Sequence, residues 1–201
     1  MSTNKFIELR RLAEKIKDNS DYDFRNAECN PKIFRKFVGE IIDRHIDPRI
    51  IWEPFAGHTV KSKNLDFAQS LGVYLVAYDL QPIDDRVLKM DSTVQAPDIE
   101  VGGVFYHPPY FGSAPQSDSE EDLSRIEDWK KYVCTLRKSI KLACNVLASN
   151  GLVCAIGRDY RVKGNRIRLD LEYVRLFESN GLRLERVMTS EPDVILWFRK
   201  D

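Results

Sequence analysis

Phe6, Leu9, Leu12, Ala13 and Ile16 recur three and four residues apart with Lys, Arg and Glu between them. That spacing predicts an amphipathic helix over residues 5–17. Residues 18–31 are polar and interrupted, which predicts a loop. Pro31 suits the first position of a helix and Asn30 its cap. The helix is expected to run to about His45 and to bury Ile33, Phe34, Phe37, Val38, Ile41 and Ile42. Beyond it the period alternates. Strands are predicted at Arg49–Trp52, Tyr74–Tyr78, Val101–Tyr106, Leu152–Ile156, Leu184–Met188 and Val194–Arg199. Helices are predicted at Lys61–Leu71, Asp128–Leu147 and Leu169–Ser179.

Strands alternating with helices predict an α/β fold: a doubly wound, mainly parallel sheet covered on both faces. The last two strands have no helix between them, so they must form a hairpin, with one strand antiparallel to its neighbour. The 201 residues, 43% of them hydrophobic, suit one α/β domain across 1–201. Lys+Arg and Asp+Glu are both 31, so no global positive charge draws the chain to a polyanion. Any such contact needs a local patch or a partner. Cys29, Cys134, Cys144 and Cys154 lack metal-ligand spacing and read as buried free thiols, with no metal expected. The start lacks a signal-peptide core and no apolar run reaches membrane length. A soluble protein of a reducing, cytoplasmic compartment, away from membranes, is expected.

The candidate chemistry begins where the Val101–Tyr106 run ends in His107-Pro108-Pro109-Tyr110. Two prolines stop a strand, because neither donates to a ladder and each fixes its own φ. The turn therefore presents a polar acceptor and an aromatic face at the sheet edge. Upstream, Glu53-Pro54-Phe55-Ala56-Gly57 follows the first strand, where open α/β sheets bind ligands. Gly57 is either a plain turn residue or one that admits a ligand against the backbone. Asp79 closes the second strand, either as an ordinary strand-end Asp of a turn or placed to accept from both ribose hydroxyls of a nucleoside. Downstream, Arg158, Arg161, Lys163, Arg166 and Arg168 put five cations in eleven residues, with Tyr160 among them. They form either a loop tracking a phosphate backbone or a solvated basic loop.

Together these segments resemble the DNA amino-methyltransferase family, which methylates exocyclic amines with S-adenosylmethionine. His-Pro-Pro-Tyr stands where that family has Asp, Asn or Ser before Pro-Pro-Tyr. Glu-Pro-Phe-Ala-Gly resembles the family's Asp-Pro-Phe-x-Gly-x-Gly cofactor loop, with His58-Thr59 in place of the second glycine. Gly157–Leu169 and Asn180–Leu184 resemble its later segments. The resemblance implies the methyltransferase form of the fold, with residues 1–30 as N-terminal helix and cofactor-covering segment. It implies cofactor contacts at Asn30, Pro31, Glu53, Pro54, Phe55, Ala56, Gly57, Asp79, Asp91 and Ser92, with a helix cap the alternative for Asp91. It implies chemistry at His107, Pro108, Pro109 and Tyr110, where carboxylate and Pro carbonyl would accept from the amine while Tyr stacks on the base. In a duplex that base must be flipped out. It implies nucleic-acid contacts at Arg158, Tyr160, Arg161, Lys163, Arg166 and Arg168, DNA being the expected partner. No separate target-recognition domain is expected, so a partner protein is one source of specificity. His107 leaves three readings open: an acceptor in an altered site, a site for another substrate group, or a binding protein without catalysis. An RNA methyltransferase is the further alternative.

Overall fold

The computed structural model describes residues 31–57, 63–190 and 192–201. The expected helix at 5–17, the Asn30 cap, Cys29 and His58-Thr59 lie outside them. In chain order the elements are α1 (Pro31–Asp43), β1 (Ile50–Glu53), α2 (Asn64–Ser70), β2 (Tyr74–Asp79), β3 (Leu88–Lys89) and β4 (Val101–Tyr106). A 3-10 turn (Leu123–Arg125) precedes α3 (Trp129–Val146), β5 (Leu147–Val162), β6 (Asn165–Arg168), α4 (Leu169–Ser179), β7 (Leu182–Ser190) and β8 (Asp193–Lys200).

The sheet order is β3-β2-β1-β4-β5-β8-β7, with β6 attached to the outer part of β5. β3, β2, β1, β4 and β5 pair in parallel. β8 runs antiparallel to both β5 and β7, as the closing hairpin requires. The order reverses between β1 and β4, and the carboxyl ends of those two strands are where such a sheet opens a crevice.

Two cores cover the two faces, and strand alternation assigns residues to them. Val104 and Tyr106 of β4 face α3 and α4, packing with Tyr132, Leu136, Tyr173 and Phe177. Phe105, between them, faces α1 and packs with Phe34 and Phe37. All six β4 residues are buried, which is why its sequence is apolar throughout rather than alternating. None of the described helices is long and apolar enough to cross a membrane.

Three expectations are corrected. The basic segment after Gly157 is not a loop: β5 continues to Val162 and folds back as β6, pairing Val162 with Asn165 across Lys163-Gly164. Both turn residues have positive φ (49° and 82°), as a two-residue hairpin turn of right-handed twist demands. Short, exposed β3 has no periodicity to announce it and was not expected. Cys134 is exposed on α3, while Cys144 and Cys154 are buried free thiols.

Candidate functional site

β1 ends in Glu53, and the chain turns through Pro54–Gly57 over the carboxyl edge of the sheet. Gly57 has φ +47°, and a Cβ there would meet nothing within 4 Å, so the turn opens onto space. Its N–H donates to Asp79 Oδ2 at 2.8 Å, and Gln81 N–H donates to Oδ1 at 2.8 Å. The Asp79 carboxylate is thus fixed at the end of β2, with a second lone pair on each oxygen. Ser92, buried after β3, donates from Oγ to the Pro54 carbonyl at 2.5 Å and ties that segment to the β1 turn. Asp91 Oδ1 accepts from Thr93 N–H at 2.8 Å, the turn-capping role, while the residue also lines the crevice.

These residues form one end of a cleft of about 370 Å³. His107, Pro108, Pro109 and Tyr110 line the other end, so the two expected halves share one cavity. Ser113, Gln116, Glu121 and Asp122, from the segment after β4, complete its wall and were not foreseen. Of the expected residues, Glu53 is buried and Pro31 opens α1, and neither lines the cleft. The hairpin cations do not line it either. Its charged lining residues are acidic (Asp79, Asp91, Glu121, Asp122), a set of acceptors suited to a cationic ligand such as a sulfonium with an ammonium group.

At the His107–Tyr110 end the turn is held from behind. Tyr132 of α3 donates to the Pro109 carbonyl at 2.9 Å, and among the described residues nothing donates to the Pro108 carbonyl. Tyr110 O–H donates to Asp193 Oδ1 at 3.2 Å, and His107 Nε2 lies 3.1 Å from the same hydroxyl. A phenol has one proton. Given to a carboxylate, which only accepts, it leaves the Tyr110 oxygen to accept from His107. The ring therefore carries its hydrogen on Nε2 and keeps the Nδ1 lone pair. Burial holds His107 below its ordinary pKa, helped by Arg158 and opposed by Asp193, so the ring is neutral near pH 7.

Asp193 and Arg158 face each other across β8 and β5. Arg158 Nε donates to Asp193 Oδ1 at 2.8 Å, and its guanidinium lies 5.1 Å from the Tyr110 ring centre. Tyr160 packs its ring on Tyr110 at 5.9 Å and donates to the Phe111 carbonyl at 2.9 Å. Arg166 pairs with Asp159, and Arg168 with Asp159 and Asp170. Much of the hairpin's positive charge is thus neutralised at home. Arg158 and Tyr160 brace the His-Pro-Pro-Tyr turn rather than reach outward.

No protein-family profile and no curated protein matches the chain. Solved structures share its fold. A Burkholderia thailandensis 1,6-didemethyltoxoflavin-N1-methyltransferase, bound to its substrate and S-adenosylhomocysteine, superposes with TM-score 0.59 at 11% identity, over 100% of this chain and 91% of that one. An S-adenosylmethionine-dependent methyltransferase from Clostridium acetobutylicum gives 0.57 at 9%, over 98% and 99%. The pyocyanin biosynthetic protein PhzM gives 0.53 at 15%, over 82% of this chain, which spans 54% of that longer protein. The fold is that of S-adenosylmethionine-dependent methyltransferases.

Proposed function

We propose that the protein is an S-adenosylmethionine-dependent methyltransferase acting on the exocyclic amine of a nucleic-acid base, with DNA adenine N6 or cytosine N4 as targets. One observation carries the reading: the Pro54–Gly57 turn, Asp79 and Asp91-Ser92 share a single cleft with His107–Tyr110. Asp79 would hold the ribose hydroxyls of the cofactor, Gly57 would admit its chain, and Asp91 would face its adenine. When bound, S-adenosylmethionine would supply an electrophilic methyl group, so that an N–C bond would form as the S–C bond breaks, with the nitrogen's proton passing to the His107 Nδ1 lone pair.

The chain's own residues handle the amine. The Pro108 carbonyl accepts one amine hydrogen, and the neutral His107 ring accepts at Nδ1. Two acceptors draw the nitrogen lone pair out of ring conjugation, the work a carboxylate would do in the resembled family. Asp193, through Tyr110, keeps the His107 hydrogen on Nε2. With the acidic lining beside it, the cleft takes a neutral base and excludes phosphate. The reading includes one methyltransferase-like unit over residues 1–201, with base-sequence choice left to a partner chain.

Calorimetry with S-adenosylmethionine and S-adenosylhomocysteine, then labelled methyl transfer to DNA, tRNA and rRNA side by side, tests this. Both ligands are expected to bind and DNA to be labelled. His107→Ala should lose label while His107→Asp keeps it. Absence of ligand binding sinks the methyltransferase reading. Label appearing only with the Asp variant makes the natural protein a catalytically altered relative that binds without transferring.

A further inference from the structure

The 18-residue helix α3 carries Lys130, Lys131, Arg137, Lys138 and Lys141 and no acidic residue. All five side chains are exposed, and among the described residues none of them pairs with a carboxylate. At 3.6 residues per turn they fall within an arc of about 120°, which only Cys134 and Asn145 share, over about 16 Å of axis. In a chain whose formal charge sums to zero, this is a concentrated positive face.

A merely solvated helix face would be arranged otherwise. α4 mixes signs, with Arg175 bound to Glu172 at 2.7 Å, and Glu40 of α1 pairs with Arg44, just past the helix end, at 2.7 Å. On α3, Arg137–Lys141 and Lys138–Lys141 are like-charge neighbours at i,i+4 and i,i+3, each costing about 0.2–0.5 kcal/mol of helix stability. Lys130 and Lys131 occupy the first turn, where the helix dipole disfavours cations. The face is therefore placed against the helix's own electrostatics.

It also begins at the reaction end. Trp129 and Tyr132 pack on Phe111 at 5.3 and 5.4 Å, and Tyr132 holds the Pro109 carbonyl. Tyr132 faces inward and the cations outward, so a polyanion on this arc would run across α3 from the His-Pro-Pro-Tyr turn, about one helix diameter of 10 Å away. Resting on the nucleic-acid reading above, we propose that the exposed arc of α3, and not the β5–β6 hairpin, is the track for the phosphate backbone of the substrate DNA. About 16 Å of duplex axis carries roughly ten phosphate charges, ample for five cations.

Fluorescence anisotropy of a labelled 20-base-pair DNA across 50–200 mM salt reads this out. Lys130→Gln/Lys138→Gln/Lys141→Gln is expected to flatten the log K against log salt slope by about 2.7 and to weaken binding roughly a hundredfold at 0.15 M salt. Arg161→Gln/Lys163→Gln on the hairpin should change the slope by less than about 1, and cofactor affinity by calorimetry should stay within twofold in both variants. The proposal falls if the α3 variant binds as wild type, or if the hairpin variant loses the binding. It falls also if the face instead prefers anionic vesicles or RNA, or drives self-association that the triple change abolishes. α3-dependent DNA binding without methyl transfer would leave the track standing and sink the proposed activity. Methyl transfer to DNA that ignores the triple change would do the reverse.

Discussion

Replacing Gly112 with alanine tests how the hairpin is docked on the His-Pro-Pro-Tyr turn. Gly112 lies two residues past Tyr110 with φ +68°, and a Cβ there would sit 2.8 Å from Val162 Cγ1 and 3.1 Å from Cγ2. The left-handed backbone costs a non-glycine residue about 1–2 kcal/mol. Forcing a methyl into Val162 adds about 1–3 kcal/mol of overpacking. The reduced entropy of the unfolded chain returns about 0.4–1 kcal/mol. Gly112→Ala should therefore cost about 2–3 kcal/mol. Val162→Ala removes two half-buried methyls and should cost about 1 kcal/mol. Together the changes should couple, because the second relieves the clash made by the first but not its backbone strain. The double variant should be about 1–2 kcal/mol more stable than the sum of the singles. Urea unfolding of the four proteins measures this. A cost under about 0.5 kcal/mol for Gly112→Ala, or strict additivity, would refute the contact between hairpin and turn.

The His107 ring supplies a pH prediction. Burial lowers its folded-state pKa below 6.5, so on acidification the unfolded chain takes up that proton first. The His107 contribution to stability is full above about pH 6.5 and is lost as pH falls through its folded pKa; His107→Gln should remove that part of the slope in pH-dependent unfolding. Asp193→Asn should disturb the Nε2–H tautomer, visible in the ring 15N shifts of His107. An unchanged spectrum would show that Asp193 does not orient the ring through Tyr110.

Local pattern revealed most of the scaffold. The Val101–Tyr106 strand and the Leu169–Ser179 helix stand where periodicity places them, because each buries the face its spacing declares. The closing hairpin followed from the lack of a helix between two apolar runs. The β5–β6 hairpin was obscured because cations at nearly every second or third place mask strand alternation. Its one local signal was Lys163-Gly164, a turn pair between Val162 and Asn165. The α3 cations stand plainly in the sequence, but it is the winding of the helix that gathers them on one side. Asp193 had no local signal at all. It is 83 residues from Tyr110, and only the pairing of β8 with β5 brings them together.

That pairing makes the ladder a ruler for the site. Arg158 stands opposite Asp193 at one end of the register, and Leu152 opposite Arg199 at the other. Side chains alternate faces with a period of two, so a slip of one residue would turn Asp193 away from Tyr110. It would also force Trp197 and Phe198 each into the core that fits the other. Misassembly thus carries its own penalty: a copy with an incorrectly oriented histidine is also a copy with a broken interior. A single deletion within β8 costs the tautomer and the fold in the same event.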